Sequence, residues 1–161
     1  MGYIEEIRKL IGHMRIILPG CIAVIRNKKG QLLMQQRAYP HGKWGLPGGL
    51  MELGESTIDT VRREIWEETG LKLGELSLFG VYSGPGYLCT AENGDEFEVV
   101  TIVYTTDKYK GEPTVMDDES LAFEWFDIDS LPENVARTHS EIIRDLIMDF
   151  STRDKQDQIS P

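Results

Sequence analysis

The run Arg63-Glu64-Ile65-Trp66-Glu67-Glu68 sets three carboxylates at i, i+3 and i+4. In a helix all three leave from one face, about one turn apart. Like charges at i, i+4 destabilise a helix by roughly 0.2–0.5 kcal/mol per pair, so a helix that gathers them on one stripe needs a compensating charge. A hard divalent cation with oxygen ligands supplies one. The flanking residues predict the helix itself. Ser56 is placed to cap it, with Asp59 completing a short capping box. Glu55, Asp59 and Glu64 lie toward its positive end. Ile58, Val61 and Ile65 recur at i, i+3 and i+7 as an apolar stripe. Gly70 is a C′ residue able to take positive φ. One face is therefore expected to pack on a core and the other to look into a solvated site.

The segment Trp44-Gly45-Leu46-Pro47-Gly48-Gly49 leads into this helix. Its glycines let backbone groups turn sharply and approach a ligand, so a carbonyl of this loop is a candidate metal ligand beside the helix carboxylates.

The spacing Gly49, Glu55, Arg63-Glu64-Ile65, Glu67-Glu68, Gly70-Leu71 matches every defined position of the Nudix box. On these residues the chain resembles the Nudix hydrolase family, and the Pro-Gly-Gly lead-in and flanking strands extend the resemblance over most of its length. The resemblance implies an α/β fold, an α/β/α sandwich with a mixed β-sheet between helices. It implies that Glu64, Glu67 and Glu68 hold Mg²⁺ or Mn²⁺ with the Gly49 carbonyl. Glu64 is then a candidate general base, although some members keep the base outside the box. Arg63 is implied to orient a catalytic glutamate, and Glu55 to contribute to the site or anchor Arg63. Without that frame, Arg63 and Glu67 read as a surface ion pair of little worth. Glu119, in the acidic turn Asp117-Asp118-Glu119-Ser120 before a Trp-bearing strand, is a further candidate ligand or base, with Asp118 as its substitute; an ordinary acidic turn is the competing reading.

Arg37, His41 and Lys43 are the cations nearest the glycine-rich loop in sequence and candidates to meet substrate phosphates. Trp44 either stacks on a base or packs beneath the loop. Tyr82, Tyr87 and Phe97 flank the variable loop where the family selects substrate. Substrate-binding candidates are thus Arg37, Lys43, Trp44 and Tyr87. The reaction implied is hydrolysis of a pyrophosphate linkage in a nucleoside diphosphate joined to another moiety: a nucleotide sugar such as ADP-ribose, a dinucleoside polyphosphate or a nucleoside triphosphate. A non-catalytic nucleotide-sensing Nudix module and an RNA 5′-pyrophosphohydrolase are the alternatives.

A chain of 161 residues predicts one domain. Its net charge of −10 argues against nucleic acid or an anionic membrane as partner, and requires local cations or bound metal where a polyphosphate is to sit. Cys21 and Cys89 lack metal-site spacing. No apolar run is long enough to span a bilayer, and the start has no leader pattern, so a cytoplasmic enzyme is expected. Residues 1–150 read as a single domain, with 1–13 a helical extension whose apolar spacing offers a face to the domain or to a second copy in a homodimer. Strands are expected at 16–25, 31–37, 73–83, 97–106 and 121–128, and a closing helix at 140–150. The polar tail 151–161 is expected to be disordered.

Overall fold

The computed structural model describes residues 2–157, with side-chain surroundings for residues 2–153. The architecture follows from β1 (Ile16–Ile25), which is buried without a break from Gly20 to Ile25. A strand buried on both faces has no polar side to offer, and its side chains go to two cores. Cys21, Ala23 and Ile25 join Leu33, Val61, Ile65 and Leu71 on one face. Ile22 and Val24 join Leu32, Met34, Val103, Ile142, Leu146 and Phe150 on the other. The first core is covered by α2 (Thr57–Thr69) and the second by α3 (Ser140–Asp157). This is the expected sandwich.

The main sheet is mixed. β1 pairs in parallel with β8 (Glu96–Thr106) and antiparallel with β4 (Gly48–Leu50). β6 (Ser77–Tyr82) and β7 (Leu88–Thr90) both pair antiparallel with β8. A second sheet sets β2 (Leu32–Arg37) between β3 (Trp44–Gly45) and β10 (Ser120–Phe126). A two-stranded ribbon joins β5 (Lys72–Leu73) to β9 (Tyr109–Lys110). Cys21 is buried and Cys89 half-buried, both as free thiols.

The capping signals act as read. Ser56 Oγ accepts from Asp59 N–H, Asp59 accepts in return from Ser56 N–H, and Gly70 closes α2 at φ 73°. Other expectations are corrected. Ile58 is exposed, because the face that packs on β1 is centred on Val61 and Ile65. The strand expected at 73–83 splits into β5 and β6, and the connection after it carries a short 3₁₀ turn and β7. The closing helix does not stop at Phe150. It continues to Asp157, into the segment read as disordered tail, and residues 158–161 lie outside the described residues. Local bonds support that continuation: Ser151 donates to the Ile147 carbonyl, Thr152 to the Met148 carbonyl, and Arg153 pairs with Asp149 at 3.0 Å. α1 (Tyr3–Ile11) has no buried residue. It is held by polar contacts, with Arg8 and His13 on Asp95 and the Tyr3 N–H on Glu52.

Gly48 is where the fold tolerates least. It lies at φ 143°, and a Cβ there would sit 2.2 Å from the Cys21 carbonyl oxygen. Ser56→Ala should lower stability by about 1 kcal/mol through loss of the cap. Gly48→Ala should cost more, because the β1–β4 pairing has to open. Urea denaturation of the two variants checks that ordering.

Candidate active site

The acidic stripe of α2 is organised by Arg63. Its Nε and Nη2 reach the two oxygens of Glu55, at 2.5 and 3.0 Å. Nη2 also donates to the Leu50 carbonyl at 3.1 Å. Nη1 donates to Glu64 at 2.7 Å and to Glu67 at 3.1 Å. One planar cation therefore ties the loop before the helix to the stripe on it, a task for the guanidinium fork. Hydrogen bonding from Arg63 is the main cause holding the Glu55 carboxyl down at about 2, and these same carboxylates raise Arg63. Arg63 and Glu55, the two residues expected to support the stripe, are in direct contact.

Glu68 is placed differently. It is 4% exposed, and its oxygens accept only from neutral donors: Gln35 Nε2 at 2.9 Å and the Gly48 N–H at 3.0 Å. Burial pushes its carboxyl up to about 8, helped by the nearby charges of Glu64 and Asp117. Burial likewise raises Glu64, against the pull of Arg63. A buried carboxyl that lacks a cationic partner among the described residues, beside further carboxylates, is a place where a cation lowers the energy.

Gly49 and Glu64 are in contact. A Cβ on Gly49 would lie 2.4 Å from the Glu64 carboxyl carbon, so any larger residue would displace that carboxylate from where Arg63 holds it. With Glu64 Oε1 and Glu67 Oε2 on Arg63, the second oxygen of each has no hydrogen-bond partner among the described residues. Oxygens of Glu64, Glu67, Glu68 and the Gly49 carbonyl are a donor set of the kind hard cations prefer. No group of three acidic, thiol or imidazole side chains among the described residues forms a ready-made cage. A divalent cation at these oxygens would need water or substrate oxygens to complete its ligands.

The outlying acidic residues divide. Asp117 Oδ1 accepts from the Glu119 and Ser120 N–H groups, and its charge acts on Glu68. Glu119 is exposed, its carbonyl accepts from Ala38 N–H, and its charge reaches both Glu64 and Arg37. Asp118 is exposed.

Of the expected substrate residues, Arg37 is the one the fold brings to the carboxylates. Burial lowers its pKa, the charges of Glu68 and Glu119 oppose that, and its Nε is buried with no hydrogen-bond partner. Facing it is His139, which sequence reasoning missed. His139 is buried, and its Nδ1 accepts from the Leu46 N–H at 2.9 Å. Burial, and then the charge of Arg37, hold the ring neutral. The remaining ring hydrogen is therefore on Nε2, 3.4 Å from Arg37 Nη2. Two donors confront each other there, an arrangement that an anionic acceptor would satisfy.

Lys43 is half-buried in the turn whose carbonyl accepts from Arg37 N–H. His41 is exposed. Trp44 packs edge-on against Phe126, with ring centroids 5.0 Å apart. Tyr87 is buried and its hydroxyl donates to Glu141, while Tyr82 donates to Asp145. Gln35 was also missed, and it bridges Glu68 and Ser120 Oγ. Its signal was a polar residue directly following the buried run Leu32-Leu33-Met34. His139 had no such signal, because its partner lies across the fold.

An acidic helix stripe, clamped by arginine against a Pro-Gly-Gly strand on an α/β/α sandwich, defines one class of protein. A model of the NUDIX domain matches residues 17–146, and the chain belongs to the Nudix family. It is 38% identical over 135 residues to the ADP-ribose pyrophosphatase of Methanocaldococcus jannaschii, covering 81% of this chain and 75% of that one. It is 33% identical over 117 residues to a MutT-like protein of Streptomyces ambofaciens, covering 73% and 68%. The solved MutT NUDIX hydrolase of Burkholderia pseudomallei superposes with a TM-score of 0.68 at 33% identity, over 80% of this chain and 96% of that one. No helix among the described residues is long and apolar enough to cross a membrane.

Arg63→Lys keeps the charge and loses the fork. Mn²⁺ affinity, read by calorimetry, should fall roughly 10–100-fold, as for supports that orient ligands. The circular dichroism spectrum should not change.

Proposed function

We propose that the protein is a divalent-metal-dependent hydrolase of the pyrophosphate linkage in a nucleoside diphosphate joined to a second moiety, with nucleotide sugars of the ADP-ribose type first among its substrates. One observation carries the reading. Glu68 is a buried carboxyl with no salt bridge among the described residues, held by Gln35 and Gly48 beside Glu64 and the glycine-rich strand. The name of the Methanocaldococcus jannaschii relative supports the substrate class.

In this reading the Gly49 carbonyl, Glu64, Glu67, Glu68 and Glu119 hold Mg²⁺ or Mn²⁺. The cation lowers the pKa of a water and neutralises charge developing on phosphoryl oxygens. Arg63 and Glu55 fix where the stripe carboxylates point. Glu64 takes the proton of the attacking water, because Arg63 and Gly49 hold it in one place, while Glu119 sits on an exposed turn. Arg37 and the Nε2 hydrogen of His139 receive a substrate phosphate, with Lys43 nearby. Trp44, packed on Phe126, and Tyr87, bonded to Glu141, border the substrate. α1, which buries no residue, is the surface on which a second copy docks as a homodimer; a single monomeric species in sedimentation would refute that.

A panel of nucleotide sugars, dinucleoside polyphosphates and nucleoside triphosphates with Mg²⁺ tests the activity. Turnover should concentrate on ADP-ribose-type substrates. Glu64→Gln should lower kcat by roughly 10²–10⁴-fold. Glu119→Gln should lower it less. Arg37→Ala should raise KM more than it lowers kcat. No turnover on any member of the panel would refute the proposal.

A further inference from the structure

The chain is acidic overall, at net charge −10, yet one cavity of about 850 Å³ is lined by five cations and one carboxylate. The cations are Arg26, Lys28, Lys72, Lys108 and Lys110, and the carboxylate is Asp107. None of them belongs to the acidic stripe or to the Arg37–His139 pair. The walls are ordered backbone. On one side is the turn 27–30, held by Asn27 Oδ1, which accepts from the Lys29 and Gln31 N–H groups at 2.9 and 3.0 Å. On the other is the β5–β9 ribbon, where the Gly74 N–H donates to the Lys108 carbonyl at 2.7 Å and Arg62 supports the Leu73 and Gly74 carbonyls from α2.

The cations are mostly unneutralised. Among the described residues only Lys108 has an ion pair, with Asp107 at 3.4 Å. Lys72 lies 5.2 Å from the centre of the Trp66 ring. The Arg26 guanidinium sits 4.1 Å from the centre of the Phe150 ring, and its Nε is buried with no hydrogen-bond partner. Phe150 thus fixes Arg26 in place without neutralising it. Five like charges around one cavity repel one another, and in an acidic chain this concentration is the exception.

We propose that this cavity is a second anion site, separate from the carboxylate cleft, and that its ligand is a compact condensed phosphate, free or carried as the tail of a nucleotide. Lysines act as point charges toward phosphate and suit a ligand with several charged oxygens. The volume lies within the range of small-molecule sites. An extended polyanion such as RNA would run beyond the basic cavity on a chain whose net charge of −10 repels it. A short phosphate chain stays within the cations.

Binding is tested on the full chain in excess EDTA, which removes divalent metal from the carboxylate site. Tripolyphosphate, ATP and a single-stranded RNA oligonucleotide are titrated at low ionic strength by calorimetry, with amide shifts followed by NMR. Tripolyphosphate should bind and weaken with salt, moving the amides of Arg26, Lys72, Lys108 and Lys110. The double variant Lys72→Glu, Lys110→Glu should weaken it by about tenfold or more, with Mg²⁺-dependent turnover of nucleotide substrates unchanged. ATP binding more tightly than tripolyphosphate assigns the nucleotide form, and equal affinity the free chain. Three results would each overturn the proposal: no binding at roughly millimolar ligand, shifts confined to Arg37 and His139, or RNA binding more tightly than tripolyphosphate. The shift map on the unmodified chain decides the matter even where the double variant fails to fold.

Discussion

The candidate site depends on one guanidinium. Among the described residues Arg63 is the one group that touches the loop before α2 and both of the more solvent-facing carboxylates of the stripe. Without it Glu64 and Glu67 would repel each other one turn apart, and Glu55 would have no charge to meet. With it, the repulsion is opposed on one side of each carboxylate and the other side is left open. Glu68 is the exception that gives the stripe its purpose. It is too far inside to reach Arg63 and is met only by an amide side chain and a backbone N–H. The arrangement fixes one side of Glu64 and Glu67 on Arg63 and leaves the Glu68 charge without a salt bridge among the described residues.

That arrangement is possible because β1 is buried on both faces. Its alternation sends Cys21, Ala23 and Ile25 to α2, and Ile22 and Val24 to α3. The helix bearing the stripe is thereby locked to the strand against which Gly48 and Gly49 pair. Gly48 admits no side chain because the Cys21 backbone carbonyl lies where a Cβ would go, and a Cβ on Gly49 would push the Glu64 carboxylate from its place. Two adjacent glycines thus serve two different contacts, one for the sheet and one for the site.

Charge is distributed with the same economy. Carboxylates gather on the stripe, while two groups of cations lie apart from it: Arg37 against the neutral His139, and the five that line the cavity beside the β5–β9 ribbon. The two cationic places are built differently. Arg37 is desolvated and faces a second donor, which suits a single well-placed phosphate. The lysines of the cavity are exposed and arranged around open volume, which suits a ligand of several charges.

The capping box, the Gly70 stop, the acidic stripe and the apolar Val61 and Ile65 of the same helix could be read from the chain, because each rests on neighbours within a turn or two. The family followed from the same local spacing. Ile58 was misread because an i, i+3, i+7 pattern does not say where the centre of a buried face falls. The helical end of α3 was missed because it rests on i, i+4 polar bonds rather than apolar periodicity. β3, β4, β5 and β9 are too short to carry a period and exist only because a distant partner pairs with them. Gln35 on Glu68, His139 against Arg37, and the gathering of Arg26, Lys28, Lys72, Lys108 and Lys110 around one cavity belong to the tertiary structure alone. The sequence determined which carboxylates form the stripe and what class of chemistry they suit, because helical spacing is local. Only the fold decided which of them is buried and which cations gather away from the stripe, because burial and the grouping of charge are properties of residues far apart in the chain.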